Sequence, residues 1–159
     1  HGAINADTLH KMADFEKIVA IKWASHDECL ATEMPALSKK FNMIENGSDR
    51  VGFHKAGGNG FLDKSSIAYP PHELKMWELL ESRRYEEAQH LWDTIDAPIQ
   101  ALAAKASKVS GGQARFKKML MNAMGHQVGE QRLPTLPAGE SEMNELKNLL
   151  TSLAWPVPS

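Results

Sequence analysis

The chain has 159 residues, of which 42% are hydrophobic and 24% charged, so it is long enough to bury one good core. Its formal net charge of −2 shows no basic excess, which argues against nucleic acid as a partner. No apolar run is long enough to span a membrane, and the single cysteine, Cys29, cannot form an internal disulfide. These features predict a cytoplasmic protein whose thiol stays reduced.

Helices and short strands alternate in the first 70 residues. Asn5 or Asp7 is placed to cap a helix that runs to about residue 13. Strands are predicted at 18–25, 41–45 and 61–62, and a helix at 27–39 has Leu30, Met34 and Leu37 as its buried stripe. A second helix follows Gly47-Ser48-Asp49 and ends at about residue 55. Because the strands recur about every twenty residues, the pattern predicts successive βα units with parallel strands.

Helical periodicity dominates the chain after Pro70-Pro71. The predicted helices cover residues 72–83, 85–108 with a kink at Pro98, 114–124, and 141–153 with Ser141 as its cap. The first of these has an apolar face formed by Leu74, Trp77 and Leu80, with Met76 as a further candidate.

A lysine lies in the most apolar strand, residues 18–25, whose sequence is typical of a strand buried on both faces of a parallel sheet. Strand alternation puts Lys22 between Ala20 and Ala24 on one face, with Trp23 on the other. Two interpretations remain open. The lysine extends its ammonium to water at the strand end, or it is a nucleophilic amine. In the second case, apolar surroundings favour the neutral amine, which can attack a ketone and form a Schiff base.

Three segments resemble one family, the dihydrodipicolinate synthase and N-acetylneuraminate lyase superfamily. Ile18-Val19-Ala20-Ile21-Lys22-Trp23-Ala24-Ser25 resembles its Schiff-base lysine segment. Glu45-Asn46-Gly47-Ser48-Asp49 resembles the end of its seventh strand, and Ala56-Gly57-Gly58-Asn59-Gly60-Phe61-Leu62 resembles its glycine-rich lead into the eighth. The resemblance implies an α/β fold, the carboxyl-terminal half of a (β/α)8 barrel. Residues 1–70 would form its last three βα units, and residues 71–159 the closing helix and a helical extension.

The resemblance also implies a site. Lys22 would form an imine with pyruvate or a related 2-keto acid, and the protonated imine would be the electron sink that allows a carbon–carbon or carbon–oxygen bond to break. Gly47 matches the family glycine whose backbone approaches the keto acid, and Leu62 matches a position that lines the site through its backbone carbonyl. Asn46 and Asp63 lie beside them and either meet a polar substrate group or face water. No metal or organic cofactor is implied.

The sequence also departs from the family pattern. Trp23 stands where the family usually has an acidic or small residue, and by strand parity it is predicted to face the helix layer. Asp63-Lys64-Ser65-Ser66 replaces the more usual hydroxyl and small residues. Gly112-Gln113-Ala114-Arg115 stands where many relatives carry a proline-rich motif. These departures leave the substrate open.

Other candidate sites are less well supported. Six histidines lack the spacing of metal ligands, and their expected roles are solvated or capping: His10, His26, His54, His72, His90 and His126. The Gly57-Gly58-Asn59-Gly60 cluster precedes a strand rather than opening a helix, so it does not fit a dinucleotide or phosphate loop.

We therefore predict a class I aldolase-type lyase, synthase or dehydratase. The alternatives are a barrel relative that binds a small keto acid as a sensor, and an unrelated α/β domain. Three parallel strands cannot close a barrel, so upstream βα units are expected, on the same polypeptide or on a separate fragment. The helical part has more apolar surface than one side of a half-barrel can cover, which predicts a homo-oligomer, dimer or tetramer. This surface includes Trp92, Phe116, Met119, Leu149 and Trp155.

Overall fold

The computed structural model describes residues 4–24, 31–63 and 65–158. The predicted helix start at 25–28, together with Cys29 and Leu30, lies outside these ranges. The chain forms two compact units, residues 1–63 and 64–159, which are described separately.

The first unit contains a parallel sheet. Its elements are α1 (Ala6–Met12), β1 (Ala20–Trp23), α2 (Met34–Leu37), β2 (Asn42–Glu45), α3 (Arg50–Lys55) and β3 (Gly60–Phe61). The strands lie in the order β1-β2-β3, and both neighbouring pairs are parallel, as the βα spacing predicted. Asn5 caps α1, because its side chain accepts a hydrogen bond of 2.9 Å from the Thr8 N–H.

One face of this sheet is covered by helices. Trp23 and Met43 are buried in a core with Leu9 of α1 and Phe53 of α3, so the prediction that Trp23 faces the helix layer is confirmed. The opposite face carries Lys22, which is exposed. The prediction that β1 is buried on both faces is therefore wrong within the described residues, because the helices of this unit pack on one side only.

The glycine-rich segment before β3 packs closely against α3 because it lacks side chains. Gly57 has a positive φ of 111°, a backbone conformation that side chains other than glycine rarely adopt. A methyl group on Gly58 would lie 2.2 Å from Cδ1 of Phe53, so this glycine lets the loop pass directly over the aromatic ring. Asn59 then donates its N–H to the Met43 carbonyl oxygen, which starts the pairing of β3 with β2.

The second unit is helical. Its elements are α4 (Pro70–Glu81), α5 (Tyr85–Leu91), a π-helical turn (Trp92–Asp96), α6 (Ala97–Val109), α7 (Gly112–Ala123) and α8 (Glu140–Ser152). α4 begins at the proline pair rather than at residue 72, since proline fits the first turn of a helix. Met76, Leu79 and Leu80 are buried on it, whereas Leu74 is 67% exposed, so the predicted place of Leu74 on the apolar face is wrong. Among the described residues, none of the helices is both long and apolar enough to cross a membrane.

The helix departs from regular α geometry one turn before Pro98, the residue at which the sequence predicted a kink. Proline has no N–H, and inside an α-helix its ring clashes with the carbonyl group four residues before it, here that of Thr94. The wide π turn precedes Pro98, which then occupies the first turn of α6. The same turn carries Asp96 into the interior, where it is buried.

Most of the apolar side chains assigned to a subunit interface are covered within the second unit. Phe116 and Met119 of α7 are buried, as is Trp155, and Leu149 packs against the same core. α6, α7 and α8 pack on one another and cover Phe116, Met119 and Trp155, so these three are not part of an uncovered apolar surface, whereas Leu149 is half-buried. That part of the apolar surface packs against another subunit stays a prediction.

The last helix is capped differently from the prediction. α8 begins after Gly139, not after Ser141, and the Glu142 carboxylate accepts the Gly139 N–H at 2.9 Å. The predicted Ser141 cap is therefore wrong by two residues. The glutamate three residues after the cap reaches back to its backbone, which is one half of a capping box.

Candidate active site

Lys22 lies on the open face of the sheet near the carboxyl ends of its strands. It is opposite Ile44 of β2, which is in turn opposite Gly60 of β3, so these three positions share one face. The chain continues from β2 into Asn46 and from β3 into Leu62, and Leu62 is 48% exposed. The carboxyl ends of parallel strands meet at one edge of a sheet. Lys22, Asn46 and Leu62 therefore belong to the same edge.

Backbone pairing continues one residue past each strand and fixes this edge. Asn46 donates its N–H to the Trp23 carbonyl oxygen at 3.1 Å, and Leu62 donates to that of Glu45 at 2.9 Å. The turn after β2 is held as well, because the Gly47 N–H donates to Oε1 of Glu45. A methyl group on Gly47 would lie 2.8 Å from this oxygen, so only glycine fits the turn without a shift.

Glu45 is a buried acid at the end of the central strand. It is 4% exposed, and its second oxygen, Oε2, has no hydrogen-bond partner among the described residues. Burial raises the pKa of the Glu45 carboxyl above its usual range, although the Gly47 N–H and the charge of Arg50 act in the opposite direction. Glu45 is opposite Trp23 in the sheet, so it lies on the helix-covered face and not beside Lys22.

Asp63 is engaged on that helix-covered side of the unit. Its carboxylate forms an ion pair with Arg50 of α3, and both side chains are buried. The guanidinium of Arg50 also lies over the Phe61 ring, 4.3 Å from the ring centre. The prediction that Asp63 meets a polar substrate group or faces water is corrected by this pairing, which uses the carboxylate to anchor the end of β3 to α3.

We expect Asp63→Asn to lower the free energy of unfolding by about 2–4 kcal/mol, because it leaves the buried Arg50 charge without its carboxylate. Replacing both partners, as in Arg50→Met with Asp63→Leu, should cost less than the single change, since neither charge of the pair then remains buried without the other. Urea unfolding followed by circular dichroism measures both values. A double variant that loses more stability than Asp63→Asn would contradict this account.

The helical unit contains a buried polar cluster. His72 Nε2 lies 3.0 Å from Oδ2 of Asp96 and 3.9 Å from Oε1 of Glu73, and the three potential ligand atoms lie within 4.8 Å of one another. Ser65 donates its hydroxyl to the same Glu73 oxygen at 3.1 Å. The prediction of a solvated or capping role is wrong for His72, which is buried and pairs with a residue 24 positions away.

Sequence reasoning missed Glu45, Arg50 and the partners of His72. For Glu45 a signal existed, because it shares strand parity with Phe41 and Met43 and so falls on the apolar face of β2. No local signal reveals the other pairings, since Arg50 and Asp63 are 13 residues apart and His72 and Asp96 are 24 apart.

A parallel sheet whose strands alternate with helices defines an α/β protein, a class that commonly binds its ligands at the carboxyl ends of the strands. The Dihydrodipicolinate synthetase family matches residues 2–153, and the chain belongs to this family.

Individual relatives agree with this assignment. The 4-hydroxy-tetrahydrodipicolinate synthase of Lactococcus lactis is 28% identical over 141 residues, which are 87% of this chain and 45% of that protein. The Clostridium tetani enzyme of the same name is 31% identical over 150 residues, 92% and 49% of the respective chains. The crystal structure of dihydrodipicolinate synthase from Oceanobacillus iheyensis superposes with a TM-score of 0.79 at 26% identity, covering 94% of this chain and 51% of that one. The chain thus has the α/β fold of these structures and spans about half the length of the relatives it matches.

Proposed function

We propose that this chain carries the Schiff-base lysine of a lyase or synthase acting on pyruvate or a related 2-keto acid. The observation that supports this best is the position of Lys22, exposed on the open face of a parallel sheet, beside the Asn46-Gly47 turn of the next strand. An amine at the carboxyl edge of a parallel sheet lies where α/β proteins bind their ligands.

The proposed first step is imine formation. The neutral amine of Lys22 attacks C2 of the keto acid, and the resulting carbinolamine loses the keto oxygen as water to give a C=N bond. Once protonated, the imine draws electrons from the bond broken at the neighbouring carbon. Gly47 and Leu62 contribute backbone groups around the keto acid, and Asn46 lies beside them. Asp63 is left out of this set, because Arg50 holds it on the other side of the strand ends.

The proposal includes a wider frame. We take the three strands as the last three of a (β/α)8 barrel and residues 71–159 as its closing helix and extension. Further βα units would then pair with the sheet and cover the Lys22 face. The exposed Leu62 and half-buried Ile44 on that face fit such a cover. Assembly into a homo-oligomer and a cytoplasmic location are further parts of the proposal.

A second candidate function is a keto-acid sensor without turnover, because a family fold does not by itself determine activity. Trp23 and residues 63–66 differ from the family pattern, and these differences are the observation that supports a binding protein without turnover.

Borohydride trapping tests the proposal. The polypeptide that carries this sequence is incubated with pyruvate, reduced, digested and analysed by mass spectrometry. We expect a reduced pyruvate adduct on the peptide containing Lys22, because hydride converts the imine into a stable secondary amine. An adduct on another lysine, or none, would contradict the proposal. An adduct on Lys22 without turnover of any hydroxylated keto acid or of pyruvate with an aldehyde would favour the sensor.

A further inference from the structure

The helical unit brings three side chains of metal-ligand type together in its interior. His72 and Glu73 lie in the first turn of α4, and Asp96 lies at the end of the π turn, 24 residues after His72. All three side chains are at most 8% exposed. Buried carboxylates in proteins are paired or coordinate a metal ion. The two helices thus place an imidazole and two carboxylates where water is largely excluded.

The spacing of the ligand atoms matches one small divalent ion. His72 Nε2 lies 3.0 Å from Asp96 Oδ2 and 3.9 Å from Glu73 Oε1. Zinc holds an imidazole nitrogen and a carboxylate oxygen at about 2.0–2.2 Å, so two ligand atoms of a tetrahedral site lie about 3.4 Å apart. The two observed separations bracket this value. The two carboxylate oxygens lie within 4.8 Å of each other and reach it by rotation of one carboxyl group.

Charge and surroundings also favour an ion that carries two positive charges. A protonated imidazole supplies at most one positive charge against two carboxylates, whereas a divalent ion balances both. Ser65 donates its hydroxyl to Glu73 Oε1 at 3.1 Å, and hydrogen bonds that hold a ligating carboxylate in place raise metal affinity. The Trp155 ring, whose centre is 5.6 Å from that of the His72 ring, adds an apolar wall that limits the access of water.

We propose that His72, Glu73 and Asp96 bind one divalent transition-metal ion, for which zinc is the best fit. The set has no thiolate, and imidazole combined with carboxylate suits zinc and its first-row neighbours. Magnesium fits less well, because it keeps several waters in an octahedral shell. Water takes the fourth position of the tetrahedron. The ion links the start of α4 to the π turn and so stabilises the helical unit.

The test measures zinc binding by the polypeptide that carries this sequence. The protein is stripped with a chelator, loaded with ZnCl2, passed through gel filtration and analysed for metal content. Competition with a chromophoric chelator gives the dissociation constant. Asp96→Asn removes a charged ligand with little change in volume, and Ser65→Ala keeps all three ligands but releases Glu73. His10→Gln is the control, because the His10–Glu33 pair, at 2.8 Å, also joins an imidazole to a carboxylate but is more exposed.

We expect the wild type and His10→Gln to retain about one zinc ion per chain. Their Tm should rise by about 5–10 °C when free zinc exceeds its dissociation constant about a hundredfold. Asp96→Asn should bind zinc at least about 100-fold more weakly, and Ser65→Ala about 10-fold more weakly. MgCl2 at the same concentration should leave the Tm unchanged.

The proposal is overturned if the wild type retains no zinc, or if Asp96→Asn binds it as tightly as the wild type does. Zinc that is lost in His10→Gln instead identifies adventitious surface binding and also overturns it, as does a larger Tm shift with magnesium. If circular dichroism shows that Asp96→Asn is unfolded, Ser65→Ala decides, and unchanged affinity in that variant overturns the site. Because metal content and Tm are measured rather than turnover, neither result depends on the chemistry proposed for Lys22.

Discussion

Lys22→Ala is expected to abolish imine formation and to reduce turnover of a 2-keto acid by on the order of 10³-fold or more. No other group described on the open face of the sheet offers an amine, because the neighbouring positions are Ala20, Asn42 and Ile44. Steady-state kinetics and borohydride trapping measure the two effects separately. The loss should come from the chemistry and not from folding, since Lys22 is exposed in this structure.

Lys39→Ala is a suitable control for this experiment, because it removes another exposed lysine of the same unit that lies outside the strands. It should leave trapping and turnover within about a factor of two of the wild type, as expected for a surface substitution. Activity that survives in Lys22→Ala would remove the Schiff-base mechanism.

Arg115→Met is expected to have the largest effect on the helical unit, lowering its free energy of unfolding by about 2–4 kcal/mol. The Arg115 side chain is 1% exposed and forms two hydrogen bonds to Glu142, of 2.8 and 2.6 Å. It also donates to the carbonyl oxygens of Leu136 and Pro137, each at 3.0 Å. Methionine fills similar space but leaves these acceptors without their donor. Urea unfolding measures the loss, and Arg132→Met, at an exposed site, should change little.

Acid should weaken the same interaction. The hydrogen bond from Arg115, followed by that from the Gly139 N–H, lowers the pKa of Glu142 to about 2. A carboxyl whose pKa is depressed in the folded state stabilises the fold above its unfolded-state pKa, and this contribution is lost as the pH falls toward the folded value. The stability difference between wild type and Glu142→Gln should therefore shrink between about pH 5 and pH 2. A difference that stays constant over this range would contradict this assignment.

Much of the first unit was predictable because its signals are local. The positions of β1, β2 and β3, their parallel pairing and the inward face of Trp23 follow from the period of the βα units and from strand parity. Burial of the Lys22 face could not be judged in this way. The strand sequence suits a sheet covered on both sides, whereas the helices of this unit cover one side only.

The helical unit was less predictable, because its decisive interactions join distant residues. Arg115 stands 27 positions before Glu142, the residue whose carboxylate also accepts the N–H of Gly139, the cap of α8. Among the candidate site residues, Lys22 was predicted from its residue type and Gly47 from the family resemblance, whereas the pairing of Asp63 could be assigned only after its partner was known. A carboxylate next to a strand end looks the same in sequence whether it faces a ligand or an arginine.

The π turn at Trp92–Asp96 affects how this region is aligned with other proteins. Such a turn contains one residue more than the α-helical turn it replaces, so it has the geometry of a single-residue insertion absorbed within a helix. Each α-helical residue advances the helix by about 100°. A continuous helical wheel drawn over residues 85–109 therefore misplaces every side chain of α6 by about that angle. An alignment with a relative that has a regular α-helix here needs a one-residue gap near 92–96, without which positions such as Ile99 and Leu102 are compared with the wrong face of that helix.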